Sequence, residues 1–548
     1  MTHMIDVRPS VHGAVLDAAH IGDIEGALGT ICQHDFRARL TWRHRLATLL
    51  AILGPGLIVM VGDNDAGAFA TYTQAGQNYG TSLLWTLLLL VPVLYVNQEM
   101  VLRLGAVTGV GHARLILERF GRFWGAFSVI DLFLLNALTI VTEFIGISLA
   151  LGYLGLSKPV GVMVAAALTI AAAGTGNFRR FERFALMLCF GSLLLVPVFL
   201  MAHPPLGAMT RDLLIPGLPA GKLSDIMLLI IGIVGTTVAP WQLFFQQSYI
   251  VDKRITPRFM AYERADLWIG IVLVVIGAIA LMAFAAAAFD HTREFGNFID
   301  AGGIAAGLGK YVGPAAGVLF AVALIDASII GAAAVSLATA YAIGDVLAVR
   351  HSLHRKPTDA IGFYLVYAGL IAVAATLVLI PRSPLGLLTE AVQTLAGVLL
   401  PSATVFLLLL CNDRAVLGPW VNGRATNVFT GAVVAALVVL SVILTAAVLF
   451  PDISDTAILW TLGGGTVLGL AVAAGAWLLR RRGSGAPAVA PTYAHANHAS
   501  WRMAPLGLLP PPRLTIAKRT WLAVLRLYLA VATILVIVRV MQIALGQG

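Results

Sequence analysis

Long apolar runs recur along most of this 548-residue chain and constrain its fold more than any other feature. A run of about 20 apolar residues can cross a bilayer as an α-helix. The chain is 59% hydrophobic and only 11% charged, which is too little charge to cover a water-soluble protein of this size. The sequence predicts an all-α polytopic membrane protein with about 12 spans, at 46–72, 81–102, 124–153, 159–175, 184–202, 225–250, 267–289, 312–347, 361–380, 387–410, 427–450 and 457–479.

Basic residues alternate between the connections of these spans. With the N-terminus inside, and counting from Arg37 to Arg482, the inner segments carry 23 Lys and Arg residues and the outer segments carry six. Because cytoplasmic loops are enriched in Lys and Arg, residues 1–45 are predicted to be cytoplasmic, and the protein to be multi-pass in the cell inner (plasma) membrane. The excess of Lys and Arg in the predicted cytoplasmic connections thus accounts for the net charge of +9. The lipid bilayer is an expected partner; nucleic acid and an obligatory protein partner are not.

The two ends of the chain are less regular than its middle. Residues 11–31 are predicted to form a short amphipathic helix. Residues 483–520 read as a Pro/Gly/Ala/His-rich linker. Residues 521–545 are apolar but contain Arg526 and Arg539, so they are predicted to form a helix that either spans the membrane or lies in its interface, with the second slightly favoured.

Acidic residues interrupt the first span. Asp63, Asn64 and Asp65 stand between glycines in mid-span, ahead of Gly67. A charge inside the bilayer is costly and therefore indicates function, and glycine weakens the helix and frees backbone carbonyl groups. Carboxylates with free carbonyls are hard oxygen ligands that suit Mg²⁺, Mn²⁺ or Ca²⁺. The alternative is that the acids only line a water-filled vestibule.

Proline interrupts the sixth span, at Ala239-Pro240-Trp241-Gln242. Proline inside a helix removes a hydrogen bond and clashes with the preceding turn. Alone it could be a simple kink. Paired with the break in the first span, it predicts a LeuT-like fold of two five-helix inverted repeats, about 46–202 and 225–410, with the site between them. Helices 11 and 12 complete a transporter domain over 46–480, and Trp241 and Gln242 are candidate gate residues.

Three further polar residues lie at membrane depth. Glu143 and Asp326 are candidate proton or ion relays, or else packed neutral acids. Gln393 could add an amide oxygen to the site or form only an interhelical hydrogen bond. The chain has no HExxH helix, P-loop or Gly-x-Ser-x-Gly elbow, so neither an enzyme nor a cofactor is predicted, and a divalent ion is expected only as substrate.

At several motifs the chain resembles the NRAMP family of divalent metal transporters, over roughly 45–480. The motifs are Gly54-Pro55-Gly56, Ala75-Gly76, Tyr79-Gly80, Leu83-Leu84-Trp85, Arg103-Leu104-Gly105, Glu143-Phe144-Ile145-Gly146 and Asn412-Asp413-Arg414. The resemblance implies a LeuT-like inverted repeat, alternating access, and uptake of Mn²⁺ or Fe²⁺ coupled to protons.

The metal-site motifs depart from the family pattern. Asp65 matches the aspartate of the family's Asp-Pro-Gly-Asn, whereas Ala68 replaces its asparagine. In helix 6 the family has Met-Pro-His, and Ala239 takes the place of the methionine. A thioether favours softer metals, so its loss should weaken discrimination against hard ions and makes Mg²⁺ a candidate beside Mn²⁺. Gln393 matches the family's helix 10 glutamine.

Two positions that resemble the family's proton-coupling residues are also changed. Gln246 stands where the family has a second helix 6 histidine, and Ile140 stands where it has a helix 3 aspartate. Both losses remove titratable groups and predict weakened or absent proton coupling.

The leading hypothesis is a secondary transporter that imports a divalent cation, Mn²⁺ or Mg²⁺ before Fe²⁺, with Asp65 favoured over Asp63 as the ligand. The alternative is a transporter of a small organic solute on the same fold. Since two aspartates would repel an anion, that solute should be cationic. A metal sensor that does not transport would need a substantial soluble domain, and the tails are short and irregular.

Overall fold

A computed structural model describes residues 15–380, 401–449, 453–482 and 498–511, with the single positions 389, 392, 522, 525 and 534. The candidate ligand Gln393 lies outside the described residues. So does most of the predicted linker at 483–520 and all but three positions of the predicted C-terminal helix at 521–545.

The described chain is almost entirely helical, as predicted. Its helices are α1 (Trp42–Ile52), α2 (Pro55–Val61), α3 (Ala66–Tyr79), α4 (Leu84–Thr108), α5 (His112–Phe120), α6 (Arg122–Tyr153), α7 (Lys158–Gly174), α8 (Phe178–Gly191), α9 (Leu195–Ala202), α10 (Leu206–Leu214), α11 (Leu223–Thr237), α12 (Pro240–Asp252), α13 (Met260–Phe289), α14 (Ala301–Tyr311), α15 (Pro314–Leu347), α16 (Ile361–Val378), α17 (Pro401–Cys411), α18 (Arg414–Leu417), α19 (Arg424–Leu449) and α20 (Asp455–Arg482).

Eight helical segments in the described part are long and apolar enough to cross a bilayer, and the bent pair α1–α2 would make a ninth. Helices α7 and α17 are apolar but shorter. The predicted total of 12 spans therefore stays a prediction. The chain is a multi-pass membrane protein, because apolar helices of this length and number satisfy their backbone groups internally and can lie in lipid.

The first predicted span, 46–72, needs two corrections. Its helical region begins at Trp42 and ends at Tyr79, and it bends by 53° between α1 and α2. Gly54 sits at this bend with a φ of +155°, a conformation that residues with a Cβ rarely adopt. Pro55 then starts α2, where its missing N–H costs nothing because the first N–H groups of a helix are unpaired anyway.

Three long helices position the site. Helix α13 packs along α2 and α3, and α15 packs along α6 and α12. Glycines permit the closest approaches: a Cβ on Gly56 would come within 2.7 Å of the α13 backbone at Leu267. The first and sixth spans are thus held against the same group of helices.

The N-terminal segment is not the predicted helix over 11–31. Its described part has one short 3₁₀ turn and an antiparallel hairpin of β1 (Ile24–Gly26) and β2 (Gly29–Ile31). The two residues between the strands, Ala27 and Leu28, form the connection, and two residues is the commonest length for a hairpin loop.

Candidate metal site

The first span breaks between Val61 and Ala66, and the break ends on an aspartate. Asp65 has extended backbone, and its Oδ1 accepts a hydrogen bond of 2.9 Å from the N–H of Ala68. Aspartate is a favoured N-cap because it satisfies an otherwise unpaired helical N–H. Gly67 was predicted to belong to the break, but it is the second residue of α3, so the break ends two residues earlier, at Asp65. Ala68 is buried beneath the cap.

Asp63 and Asn64 fill the break and are buried, at 1% and 4% exposure. Neither carboxylate oxygen of Asp63 accepts a hydrogen bond of acceptable geometry in the described part of the chain, although the amide of Gln242 lies near the carboxylate. The Asn64 amide donates to the carbonyl of Val274 in α13 at 3.0 Å, and its own oxygen lacks a partner. Buried polar atoms without partners are rare and point to a missing ligand.

Glu143 of α6 reaches the same break. Its Oε2 accepts from the N–H of Ala66 at 3.1 Å, and its Oε1 is buried without a partner among the described residues. A Cβ built on Gly331 of α15 would lie 2.9 Å from Oε2 of Glu143 and 3.0 Å from Cβ of Asp65. The two acids are therefore neighbours, and glycine at 331 makes room for both.

Adding a methyl group at Gly331 should disturb this arrangement. Because a Gly331→Ala side chain would overlap both acids, we expect a destabilisation of about 1–3 kcal/mol, measured by thermal unfolding of the purified protein in detergent. In the matched control Gly369→Ala, on α16, the new Cβ meets nothing within 4 Å, and alanine should instead favour the helix. Equal effects of the two variants would show that the site is not closely packed at Gly331.

The second break lies between Thr237, the last residue of α11, and Pro240, the first of α12. Ala239 is the N-cap of α12, and its carbonyl accepts from the N–H of Gln242 at 3.2 Å. Pro240, which the sequence marked as the helix break, occupies the first helical position and so begins the second half-helix. This is the irregularity that the sequence predicted for the sixth span.

The two breaks face each other. The buried ring of Trp241 lies 3.8 Å from the position of a Cβ on Gly62, and its Nε1 has no partner within the described ranges. The hydroxyl groups of Tyr72 and Thr237 are 2.7 Å apart and join α3 to α11. The two breaks are therefore neighbours in the buried interior, with Trp241 packed against the first of them.

Gln242 is turned toward the second predicted span. Its Oε1 accepts from Gln98 of α4 at 3.0 Å, and its Nε2 lies 3.4 Å from the carbonyl of Thr237. Gln246, one turn further along α12, is buried with neither amide atom hydrogen-bonded to any described residue. Gln98 of α4 therefore contacts the first turn of α12, next to the break.

Asp326 of α15 is half-buried beside Gly191 of α8, and with Asn64 and Ser192 it lines a small cavity that reaches the first break. Among the described residues, no group of three or more His, Cys, Asp or Glu side chains is arranged to hold a metal ion. A bound ion would thus need backbone or amide oxygens in addition to the acids.

The site also depends on residues that carry no chemistry of their own. Gly146 of α6 lets the helix approach α3, since a Cβ there would lie 2.6 Å from Cβ of Ala66. Tyr72, Thr237 and Gly331 likewise carried no signal that one sequence could reveal. Small residues inside membrane helices often mark close packing, but nothing in their spacing identifies the partner.

The model of the family described as "Natural resistance-associated macrophage protein-like" (Nramp) matches residues 56–447. This match covers both breaks and most of the described helices. The chain belongs to the Nramp family. The resemblance drawn from its motifs is thereby confirmed, and the family is one of membrane transporters.

Curated relatives of this Nramp chain carry the name "Divalent metal cation transporter MntH". The protein from Ralstonia nicotianae is 32% identical over 397 residues, which is 69% of this chain and 87% of the relative. That from Deinococcus radiodurans is 31% identical over 410 residues, 71% and 88% of the two chains.

The fold of this Nramp chain is also that of a solved protein. The crystal structure of the Eremococcus coleocola manganese transporter, in complex with an aromatic bis-isothiourea compound, superposes with a TM-score of 0.61 at 21% identity. The match covers 82% of this chain and 96% of that one. The predicted fold class is confirmed by this likeness.

Proposed function

We propose that this chain imports a divalent metal cation by alternating access, and that the ion binds between the breaks of the first and sixth spans. The names of the MntH relatives and of the structural neighbour support the substrate class. The observation that carries the site is Asp63, whose two buried oxygens accept no hydrogen bond of acceptable geometry from the described chain, although the Gln242 amide lies near enough to interact with the carboxylate. An unpaired buried carboxylate is strongly disfavoured, and a cation between the breaks would compensate it.

The donors around the proposed ion site are oxygen atoms. Asp63 and Asp65 supply carboxylates, Glu143 lies beside them, and Asn64 has an unpaired amide oxygen. Neither break contains a sulfur-bearing residue. Hard oxygen donors suit Mg²⁺ and Mn²⁺, so we favour these ions over Fe²⁺, and Ala68 and Ala239 are positions that shape the cavity.

Alternating access is supported by the half-helices. Helices α2 and α3 meet at one break and α11 and α12 at the other, so the parts on either side of the ion can tilt separately. In the proposed orientation the N-terminal segment is cytoplasmic and the chain lies in the plasma membrane. Trp241 and Gln242 then lie at the start of the inner half of the sixth span as gate residues.

Uptake into proteoliposomes tests the proposal. The four ions compared are Mn²⁺, Mg²⁺, Fe²⁺ and Ca²⁺. We expect wild-type protein to carry Mn²⁺ and Mg²⁺, and Fe²⁺ more slowly, because the donors are hard and no thioether is present. Repeating the assay with and without an imposed pH gradient measures coupling. We expect little coupling, since Gln246 and Ile140 cannot carry a proton.

The control is Asp290→Asn, which alters an exposed acid that belongs to neither break. It should leave uptake unchanged. Absence of flux for all four ions would contradict metal transport and favour a small organic cation, which the buried ring of Trp241 could bind through its face.

A further inference from the structure

Residues 17–37 cross one end of the helix bundle, and we call them the N-terminal strap. They contain the 3₁₀ turn Ala18–His20 and the hairpin of β1 and β2. Ile24, Ala27 and Ile31 are buried at 3%, 3% and 5% exposure, although the segment holds only short regular elements. The strap is thus packed into the protein and does not trail from it.

The hairpin of the strap lies directly on α1 and α8. A Cβ on Gly26 would come 1.9 Å from the carbonyl oxygen of Ala51, so the two backbones are in contact. At the hairpin turn, the N–H of Ala27 donates to Oε2 of Glu182 at 2.5 Å, and its carbonyl accepts from Arg183 at 3.0 Å. Two neighbouring residues of α8, Glu182 and Arg183, therefore bind both backbone groups of Ala27.

The first residues of the strap are also anchored. Asp17 pairs with Arg355, after α15, at 2.6 Å and accepts from the N–H of His351 at 3.0 Å. Burial acts to raise the pKa of Asp17, but the hydrogen bonds from Arg355 and the backbone outweigh it and hold that pKa well below its usual range. Arg254 donates to the carbonyls of Ala19 and Asp23, each at 2.9 Å.

Under the strap, a buried ion pair closes the bend between α1 and α2. Lys253 and Glu182 are completely buried and 2.7 Å apart. The same ammonium group donates to the carbonyls of Ile52 and Leu53 at 2.6 and 2.9 Å, which satisfies the last carbonyls of α1. Glu182 accordingly binds the strap with one oxygen and the lysine with the other.

The start of α2 is satisfied in the same place. Asp266 of α13 accepts from the N–H groups of Gly54 and Gly56 at 3.2 and 2.7 Å. Glu263, one turn earlier on α13, is buried with both oxygens lacking a partner in the described chain. An incompletely paired polar cluster costs free energy, so the closed arrangement at this end is not a fully relaxed core.

We propose that the N-terminal strap is a latch that keeps the inner end of the first span closed, and that it must leave α1 and α8 before the ion can be released on that side. This rests on the proposed transport function. For α1 to move away from α8, the contact of Gly26 with Ala51 and the bond of Ala27 to Glu182 must both separate. The ion pair of Lys253 would then open with them.

Chemical labelling tests the latch without any transport assay. Thr48 of α1 is 4% exposed and accepts a hydrogen bond from Arg39, which follows the strap. We would measure the maleimide reaction rate of Thr48→Cys in a background with Cys32→Ser, because Cys32 is the exposed cysteine and Cys189 and Cys411 are buried. The same background with Thr48 intact gives the baseline.

Gly26→Ala should then raise the labelling rate about tenfold, because its Cβ would overlap the backbone of Ala51, which cannot yield. A change of this size corresponds to a destabilisation of about one or two kcal/mol. The matched control Gly423→Ala places its Cβ where nothing lies within 4 Å and should not change the rate. Equal rates in the Gly26→Ala and control proteins would overturn the latch, whether or not the chain transports metal.

A cleavable cross-link tests the need for release. Arg179 of α8 donates a hydrogen bond to the hydroxyl of Thr30 in the strap. The variant Thr30→Cys/Arg179→Cys, in the same Cys32→Ser background, would be joined by a bis-methanethiosulfonate linker and assayed for Mn²⁺ uptake. We expect uptake to stop on linking and to return on reduction. Full uptake by the linked protein would overturn the proposal, and the singly substituted proteins treated with the linker are the controls.

Discussion

Replacing Asp65 by asparagine is expected to abolish divalent-metal uptake while leaving the protein folded. An amide can still cap α3, because asparagine is as good an N-cap as aspartate, so the bond to Ala68 is retained. What is lost is the negative charge beside Asp63 and Glu143. Even changes to residues behind a metal ligand cost about 10–100-fold in affinity, and we expect at least that loss in the concentration dependence of Mn²⁺ uptake.

Comparison with Asp65→Ala separates binding from folding. Alanine removes both the charge and the cap, so it should abolish uptake and also cost about 0.5–2 kcal/mol of stability. Thermal unfolding of the two variants in detergent would show the difference. If Asp65→Asn transported Mn²⁺ as well as the Asp290→Asn control, Asp65 would not be a ligand, and Asp63 would become the principal carboxylate of the site.

The second large effect is expected at Lys253. Lys253→Met keeps an unbranched side chain, one atom shorter than that of lysine, but leaves Glu182 charged and buried and loses the bonds to the end of α1. Breaking a buried ion pair by removing one partner costs about 3–5 kcal/mol. We expect a marked fall in the thermal unfolding temperature of the purified protein.

A double variant distinguishes charge from shape. Lys253→Met/Glu182→Met removes both charges, so it should be more stable than Lys253→Met alone, because a paired apolar replacement avoids the uncompensated carboxylate. The exposed pair of Lys310 and Glu294 provides the control, and Lys310→Met should change little. If the double variant were less stable than the single one, the bonds of Glu182 to the strap would outweigh its charge.

The sequence predicted where the membrane spans break, since helix-disrupting residues and intramembrane acids carry that information. It did not predict the ends of the break. Gly67 was assigned to it for its low helix propensity, but Asp65 caps the next turn and α3 begins at once. Capping by a side chain outweighs the weak preference of a single glycine.

Which acid lacks a partner could not be predicted from one chain. Asp63 and Asp65 are two residues apart and chemically identical, and only the packing of α13 and α15 gives them different surroundings. Lys253 shows the same limit: it was counted as a basic loop residue, and it is completely buried. Counting charges predicts the side of the membrane but not whether a side chain is solvated.

The strap was missed for a different reason. Its apolar residues over 11–31 were interpreted with a helical period, although Gly26 and Gly29 disfavour a helix there and residues 24–31 form a hairpin. A short apolar pattern does not by itself distinguish the two. The glycines were the available signal.

The 53° bend at Gly54 makes α2 a short lever. Its seven residues span about 10 Å, so a rotation of about 10° at the bend would displace the far end, next to Asp63, by about 2 Å. That displacement is comparable to the length of a metal–oxygen bond. Rotation of α2 at the bend would then open the inner end and weaken ion binding in a single movement. No second conformational change would be needed to couple release of the ion to opening of the exit.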